Sequence, residues 1–198
     1  DAMESRGLGD VYKRQVEGPT KLEWDNHIRQ IFDWAPYNQL GRGGPQQAGS
    51  IYLSDIRVAA TVVPDRDGLS TRFQIVAADH QFEFVLDGET AVLRMRSADW
   101  GEEFPDEGWT STDPVPVALP GGAPTDLEFW HVDQRLVLFV DGDKVAEMTY
   151  DWRPLQRLQF AIDKAIDDVA ALAVRNPRGP PSINWHFDGP TTTLYRVK

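Results

Sequence analysis

Apolar side chains occupy every second position along several short segments of this chain, and a turn signal follows such segments. Residues 82–86 read Phe-Glu-Phe-Val-Leu and precede Asp87-Gly88, while residues 135–140 read Arg-Leu-Val-Leu-Phe-Val and precede Asp141-Gly142. A strand sends successive side chains to opposite faces, so a period of two indicates a strand with one buried face. Asp-Gly is a strong signal for a tight hairpin. The pattern therefore predicts antiparallel strands joined by short turns.

The same reasoning assigns structure to most of the chain. Residues 99–124 are rich in Gly, Pro, Trp and acidic residues and are expected to cross the surface as a long loop. One helix is predicted at residues 163–174, with Asp163 as its N-cap. The predicted fold class is all-β, an antiparallel two-sheet β-sandwich with one short helix. Strands are predicted at residues 52–63, 72–77, 82–86, 93–96, 126–132, 135–140, 144–150, 158–162 and 191–197.

Three regions are expected along the chain. Residues 1–15 are set apart as a non-biological or disordered terminus, because residues 6–15 resemble the translated adapter sequence found at the ends of environmental assemblies. Residues 16–50 form a lead-in segment that contains the first strand. Residues 51–198 form the β-sandwich, which is expected to be truncated at its C-terminal end because residues 191–197 have the pattern of an unfinished strand.

The net charge of the chain narrows the range of partners that it is expected to bind. Its 198 residues include 20 Lys and Arg against 31 Asp and Glu, a formal net charge of −11. Such a surface repels phosphate backbones and anionic lipid head groups, so nucleic acid is not an expected partner. No Cys is present, which excludes disulfides, thiolate catalysis and Cys-ligated zinc. No apolar window reaches the roughly 20 residues of a membrane helix, so direct membrane insertion by this chain is not expected.

The acidic part of the predicted long loop is the candidate ligand-binding region. Trp100 and Trp109 flank it, and Glu103 and Asp106 lie within it. Aromatic rings beside polar groups are suited to stacking on sugar rings and bonding their hydroxyls, so these four residues are predicted to bind ligand. The alternative is that both Trp side chains pin the loop onto the sandwich while the carboxylates remain solvated.

The sequence predicts no catalytic residue, no metal site and no cofactor. Glycoside hydrolysis needs two carboxyls held about 5–9 Å apart on rigid strands, whereas the acidic cluster lies on a loop that contains Gly and Pro. The four His residues lack ligand spacing, and His131 is expected to be a hydrogen-bonded structural residue.

The hairpin at residues 129–142 carries a resemblance to known modules. It reads Phe-Trp-His-Val-Asp-Gln-Arg-Leu-Val-Leu-Phe-Val-Asp-Gly. This strand, tight turn, alternation of Leu with aromatic residues and closing Asp-Gly resemble laminin G and concanavalin A-like domains. The resemblance implies a concanavalin A-like jelly roll in which Leu136, Leu138 and Val140 face one side.

A further set of motifs resembles, in the same order, a large insertion found in an enlarged bacterial subgroup of type I signal peptidases. In that subgroup a Tyr-Asn element precedes a Val-Gly-Asp-Leu strand, and a Val-Asp-Asp-Arg-Leu-X-Leu-X-Val-Asp-Gly hairpin follows. The counterparts here are Tyr37-Asn38, residues 52–56 and residues 132–142. Residues 194–197 resemble the last strand before the peptidase core. The Ser and Lys elements of that family have no recognisable counterpart, so no catalytic residue carries over.

The peptidase resemblance implies that this chain is the non-catalytic β-sandwich of a membrane-bound, signal peptidase I-like serine endopeptidase. The segment itself would be soluble and lie on the extracytoplasmic side of a bacterial membrane. Its partners would be exported precursor proteins, reached through the parent peptidase, or envelope glycan. The alternative is a stand-alone laminin G-like or lectin-like module that binds carbohydrate or protein. A jelly-roll glycosidase is a third hypothesis.

Overall fold

The described part of the chain is built from β-strands. The computed structural model describes residues 13–25, 55–77, 80–98, 107–150 and 181–197, and no α-helix lies among them. The 13 strands are β1 (Lys13–Val16), β2 (Thr20–Glu23), β3 (Ile56–Pro64), β4 (Ser70–Ala77), β5 (His80–Leu86), β6 (Thr90–Ser97), β7 (Thr110–Ser111), β8 (Val115–Pro116), β9 (Thr125–Val132), β10 (Arg135–Val140), β11 (Asp143–Thr149), β12 (Ser182–Asp188) and β13 (Thr192–Tyr195).

The strands form two antiparallel sheets. Sheet A has six strands in the order β1-β13-β3-β9-β10-β11. Sheet B has seven strands, in the order β2-β12-β4-β5-β6-β7, with β8 also paired to β6. The first two strands of the chain thus pair with the last two, β1 with β13 and β2 with β12. This arrangement confirms the predicted all-β, two-sheet sandwich.

Tight turns join the strands of sheet A where the sequence predicts them. Asp133 and Gln134, with φ of 49° and 62°, connect β9 to β10, while Asp141 and Gly142, with φ of 51° and 88°, connect β10 to β11. Positive φ at both central residues is the requirement of a type I′ turn, whose twist matches that of the flanking strands. Local turn chemistry therefore sets the β9-β10-β11 meander.

Alternate side chains of the two sheets meet in one core. Phe73 of sheet B stacks on Phe129 of sheet A with ring centroids 4.7 Å apart, and Trp185 packs edge-on against both rings at 5.9 and 5.3 Å. Leu136 and Leu138 are fully buried, as the hairpin pattern predicts. Each large apolar side chain removed from water contributes about 1.5–3 kcal/mol, so this layer is the main source of stability.

One polar pair lies inside this core. His131 is buried, and its Nε2 lies 2.5 Å from the hydroxyl of Tyr150. Phe82 packs on the His131 ring with centroids 4.2 Å apart. Buried polar groups need such a partner, because an unpaired one costs free energy. The prediction that His131 is a hydrogen-bonded structural residue is confirmed.

The second part of the predicted long loop is fastened to the sandwich. Its short strands β7 and β8 both pair with β6. Further on, the N–H of Gly121 donates to Asp67 Oδ1 at 2.7 Å, and a Cβ on Gly121 would lie 2.3 Å from the carbonyl carbon of Arg66. Only glycine allows that approach, which attaches the loop to the β3–β4 turn.

Strand β12 is the longest of the strands that the sequence does not predict. Ile183, Trp185 and Phe187 alternate with polar residues and are buried, so the period-two signal is present. It spans only seven residues and directly follows Pro180-Pro181, which argue against regular structure. The strand nevertheless lies between β2 and β4 in sheet B.

Several other predictions concern residues outside those described. The helix at 163–174 and the strand at 158–162 fall there, as do residues 52–54 of the strand expected at 52–63. Strand β1 includes residues 13–15, which the sequence analysis sets apart with the terminus. Within the described ranges, the chain has no helix that is long and apolar enough to cross a membrane.

Candidate functional site

Most outward side chains of sheet B are polar, and one row of them lies in register across five strands. Glu23 of β2, Asn184 of β12, Gln74 of β4, Glu83 of β5 and Arg94 of β6 are successive partners in one row. Their chain neighbours on β12, β4, β5 and β6 are buried in the core. Alternate side chains share a face, so this row points away from the core. We call the outward side chains of β2, β12, β4, β5 and β6 the polar face.

Glu83 lies at the centre of the polar face, with only 1% of its side chain exposed. Its Oε1 accepts hydrogen bonds from Gln74 Nε2 at 3.0 Å and from Gln81 Nε2 at 2.9 Å. Its Oε2 accepts one from Arg94 Nε at 2.8 Å, and Arg94 Nη2 lies 2.6 Å from the same oxygen. A buried carboxylate persists only when it is paired in this way. The pairing in turn fixes the orientation of all four side chains.

The network extends from Glu83 in both directions across the sheet. Toward β12, Asn184 Nδ2 donates to Gln74 Oε1 at 3.0 Å. Toward β6, Arg96 Nε donates to Gln81 Oε1 at 3.0 Å. Asn184 and Arg96 are both buried. The result is a row of amide and guanidinium planes whose donors and acceptors are held in fixed positions.

Trp109 supplies an aromatic ring at the edge of the polar face. Its ring centroid lies 4.2 Å from Arg94 Cζ and 4.4 Å from Arg96 Cζ, which are cation–π distances. Both arginines point outward from β6, so the ring lies on the outer side of sheet B. Arg96 Nη1 also donates to the carbonyl oxygen of Glu107 at 3.3 Å. These contacts attach the residues before β7 to the polar face.

An open depression adjoins the network and is lined by residues of β2, β12, β4, β5 and β6. Its volume is about 450 Å³, within the roughly 300–1,000 Å³ that is common for small-molecule sites. The charged side chains in its lining are Lys21, Arg72, Arg94 and Asp188, and His186 also lines it. The depression therefore offers a concave space beside a fixed polar row.

Two buried polar atoms in this region have no hydrogen-bond partner among the residues that the structure describes. One is Arg72 Nε, which lies 3.8 Å from Glu83 Oε1, an ion-pair distance that is too long for a hydrogen bond. The other is Asn184 Oδ1. The Nδ2 atom of the same side-chain amide donates to Gln74 and Ser182. Unsatisfied buried polar atoms are rare in folded proteins and call for an explanation. Of these two residues, Arg72 also lines the depression.

The structure describes one of the four predicted ligand-binding residues. Trp109 lies against the polar face, whereas Trp100, Glu103 and Asp106 lie outside the described residues. Glu107, from the same acidic stretch, is exposed. Among residues whose placement is described, no group of three or more His, Asp or Glu side chains is arranged to hold a metal ion.

Sequence reasoning missed the polar face itself. The signal was the second half of the same alternation, because positions 72, 74, 81, 83, 94 and 96 carry Arg, Gln, Gln, Glu, Arg and Arg. The predicted hairpins already make β4, β5 and β6 neighbours, so these side chains could have been placed on one face. Asn184 could not, because its strand was not predicted.

The chain was compared with known protein families, curated proteins and solved structures, and only solved structures align with it. No protein-family model matches the chain, and no curated protein matches it. Among solved structures, the galectin LEC-6 of Caenorhabditis elegans aligns at 12% identity and a TM-score of 0.45, over 98% of this chain and 99% of that one. A non-specific endo-β-1,3(4)-glucanase of family GH16 aligns at 12% identity and 0.43, over 72% and 57% of the two chains. Carbohydrate-binding module CBM66 of Bacillus subtilis aligns at 12% and 0.38, over 73% and 74%. TM-scores below 0.5 at such identities assign neither ligand nor activity.

Proposed function

We propose that this chain is a carbohydrate-binding β-sandwich and that the polar face is its binding surface. The observation that carries the proposal is the Glu83 network, in which a buried carboxylate holds Gln74, Gln81 and Arg94 in single orientations. Sugar hydroxyls both donate and accept hydrogen bonds, so a sugar site needs donors and acceptors in fixed positions. Groups that are already ordered lose little conformational entropy when the ligand binds.

Trp109 completes the chemistry that a sugar ring requires. A sugar ring has an apolar face of C–H groups and a polar edge of hydroxyls, so an aromatic ring next to fixed polar groups complements both. Trp109 stands beside Arg94 and Arg96 at the edge of the polar row. The depression of about 450 Å³ runs beside the row and includes Arg94 in its lining, and it provides room for further sugar residues.

The proposal is tested by replacing Trp109. A glycan array identifies bound oligosaccharides, and calorimetric titration with those oligosaccharides measures affinity. We expect Trp109→Ala to weaken binding about tenfold, which corresponds to about 1.4 kcal/mol. Trp130→Ala is the matched control, because Trp130 is a half-buried Trp on the outer face of sheet A. Its affinity is expected to match that of the unchanged protein.

Two results would contradict the proposal. One is an array on which the folded protein retains no glycan. The other is equal loss of affinity in Trp109→Ala and Trp130→Ala, which would indicate a general effect on the fold rather than on the polar face. A melting curve for each variant separates loss of binding from loss of structure.

Hydrolysis has weaker support than binding on this surface. The two carboxylates of the central row, Glu23 and Glu83, are three strands apart. Neighbouring strands are spaced by about 4.8 Å, so the two backbones are separated by about 14 Å. Paired carboxyls in glycosidases are only about 5–9 Å apart. The acidic cluster at residues 99–106 lies outside the described residues, so the hypothesis of a glycosidase site there stays untested.

A place within a signal peptidase-like parent is a separate proposal that rests on the sequence motifs alone. In that setting the sandwich would lie on the extracytoplasmic side and present its polar face to envelope glycan. Cloning the flanking reading frame tests it. Coding sequence for a membrane helix with the Ser and Lys elements upstream supports the peptidase parent, and flanking adhesion or sugar-processing domains contradict it.

A further inference from the structure

The charged side chains that line the depression beside the polar row are mainly cationic, although the chain as a whole is acidic. The charged lining comprises three cations, Lys21, Arg72 and Arg94, and one carboxylate, Asp188. The chain as a whole has a formal net charge of −11. Glu23 pairs with Lys21, and Glu83 lies against Arg72 and Arg94, so both carboxylates are inside the roughly 8 Å over which charges act at physiological salt. The attraction for an anion therefore depends on how much charge these carboxylates leave unpaired on each cation.

The three cations differ in how much of their charge is already paired. Arg94 is committed to Glu83, with contacts of 2.6 and 2.8 Å, and to the Trp109 ring. Lys21 makes an exposed ion pair with Glu23 at 3.3 Å, which solvent weakens. Within the described part of the chain, Arg72 has the 3.8 Å contact with Glu83 and no closer polar partner, whereas Glu83 already receives closer donors.

Arg72 is therefore the least satisfied cation of the lining. Its side chain is 41% exposed, so part of it is accessible from the depression, while its Nε is buried without a hydrogen bond. A guanidinium offers donors in a planar fork that matches two oxygens of a carboxylate or a sulfate. A ligand with such a group would pair the Arg72 fork and would also lie near Lys21.

We propose that the depression binds the anionic oxygen group of an acidic glycan, a uronate carboxylate or a sulfate ester, with Arg72 as its principal partner. This inference rests on the proposed carbohydrate-binding function. Gln74 and Arg94, which Glu83 holds in place, would bond neighbouring hydroxyls, and Arg72 would select for charge. Neutral sugars lack the group that uses Arg72, so they would bind more weakly.

Matched pairs of glycans test the charge directly. The probes are oligogalacturonides with their methyl esters, and sulfated galactan oligosaccharides with their desulfated forms, each displayed on an array and then titrated calorimetrically. We expect the acidic member of a pair to bind about tenfold or more tightly than its neutral partner, and the difference to shrink as salt is raised. Whichever of the two pairs shows the difference identifies the carboxylate or the sulfate as the source.

Single-residue variants show which side chain causes the preference for the acidic glycan. Arg72→Gln is expected to bring affinity for the acidic glycan down to that for its neutral partner, and Arg72→Lys to give an intermediate value, because Lys keeps the charge but not the fork. Arg57→Gln is the control, since Arg57 is a 57% exposed arginine on the outer face of sheet A. Its affinity should stay within about twofold of the unchanged protein.

The outcomes separate this inference from the proposed function. Equal binding of acidic and neutral partners, or acidic binding that survives Arg72→Gln, overturns the inference and leaves carbohydrate binding in place. Binding only to neutral glycans that are not members of the matched pairs would likewise overturn the inference and leave carbohydrate binding in place. Failure to bind any glycan overturns both.

Discussion

At the scale of single residues, Glu83 holds the centre of the polar face together. It is buried although it points away from the core, and it receives hydrogen bonds from Gln74, Gln81 and Arg94. Removing one partner of a buried charge cluster leaves the others desolvated and unpaired. Stability and the order of the polar face therefore depend on the same carboxylate.

Glu83→Gln is expected to destabilise the protein by about 3–5 kcal/mol, because the new amide donors would face the donors of Arg94, Gln74 and Gln81. Urea denaturation followed by Trp fluorescence measures the change. Glu128→Gln is the matched control, since Glu128 pairs with Arg57 at 2.8 Å on the outer face of sheet A and is more exposed. That variant should lose only about 0–1 kcal/mol. Equal losses in the two variants would contradict the assigned role of Glu83.

The sequence was informative about some single residues and not about others. His131 could be predicted as structural because it lies on a strand between apolar neighbours and lacks ligand spacing. Glu83 could not be recognised as buried, since a Glu at an outward strand position is normally solvated. Its burial depends on Arg94 and two amides from neighbouring strands, which become visible only once the sheet is assembled.

At the scale of elements, the β5–β6 hairpin shows how one side chain sets a turn. Asp87 Oδ1 accepts hydrogen bonds from the backbone N–H of Thr90 at 2.7 Å and of Glu89 at 3.1 Å, and Oδ2 accepts one from the Thr90 hydroxyl at 3.0 Å. Gly88 supplies the positive φ, 96°, that the turn needs. These bonds, chiefly those from the backbone of Thr90 and Glu89, lower the pKa of Asp87 below its ordinary value of 3.8.

This turn is expected to make stability depend on pH in acid. A carboxyl whose pKa is depressed in the folded state stabilises it above the unfolded pKa, and the contribution is lost as pH falls through the folded pKa. Asp87→Asn should therefore unfold more easily than the unchanged protein at pH 6, by about 0.5–1 kcal/mol for this exposed turn. The difference should shrink below pH 3.8. Urea unfolding at a series of pH values measures it.

Glu89→Gln provides the control for this pH series. It removes the same charge from the exposed neighbour in the turn but leaves the hydrogen bonds to Asp87 in place. Its stability should follow that of the unchanged protein across the series. A constant gap between Asp87→Asn and the unchanged protein at all pH values would show that the ionised form of Asp87 has no special role.

Hairpins were predictable because their signals are local. Turn residues and the flanking alternation lie within a few positions of each other, so β5 and β6, and β9 to β11, follow from the sequence. Strand β12 was not predictable, because its seven residues stand alone after a pair of prolines. Its pairing with β2 and β4 involves residues more than 100 positions away in the chain.

At the scale of the whole molecule, the last two strands complete both sheets. Strand β12 lies between β2 and β4 in sheet B, and β13 lies between β1 and β3 in sheet A. Their buried side chains include Trp185, which packs against Phe73 and Phe129 at the centre of the core. Neither sheet is continuous without them.

A chain that ends at Pro181 is therefore expected to lose cooperative unfolding, because both sheets lose an interior strand and the core loses Trp185. Near-UV circular dichroism and urea denaturation measure this. Removal of residues 197–198 alone is the control, since Val197 is exposed and lies beyond β13. A cooperative transition near that of the full chain in the longer truncation would contradict the role assigned to these strands.

The candidate site also depends on the whole molecule, because its strands come from distant parts of the chain. The sequence therefore pointed only to Trp109, at the edge of the site. The hydrogen bond from Asn184 to Gln74 joins residues 110 positions apart. Local patterns reveal which residues alternate, but not which distant strands become neighbours. Trp109 could be predicted as a ligand candidate because its type alone is informative, whereas the row beside it required the order of the strands.

The pairing of β1 with β13 sets how this sandwich can be joined to other polypeptide. Lys13 and Tyr195 are direct partners, and paired Cα atoms on antiparallel strands are about 5 Å apart. A domain whose first and last strands are neighbours can be inserted into a surface loop of a host protein without separating the two ends of that loop. Insertion of this sandwich into a surface loop of another protein is therefore expected to leave the packing of that protein undisturbed.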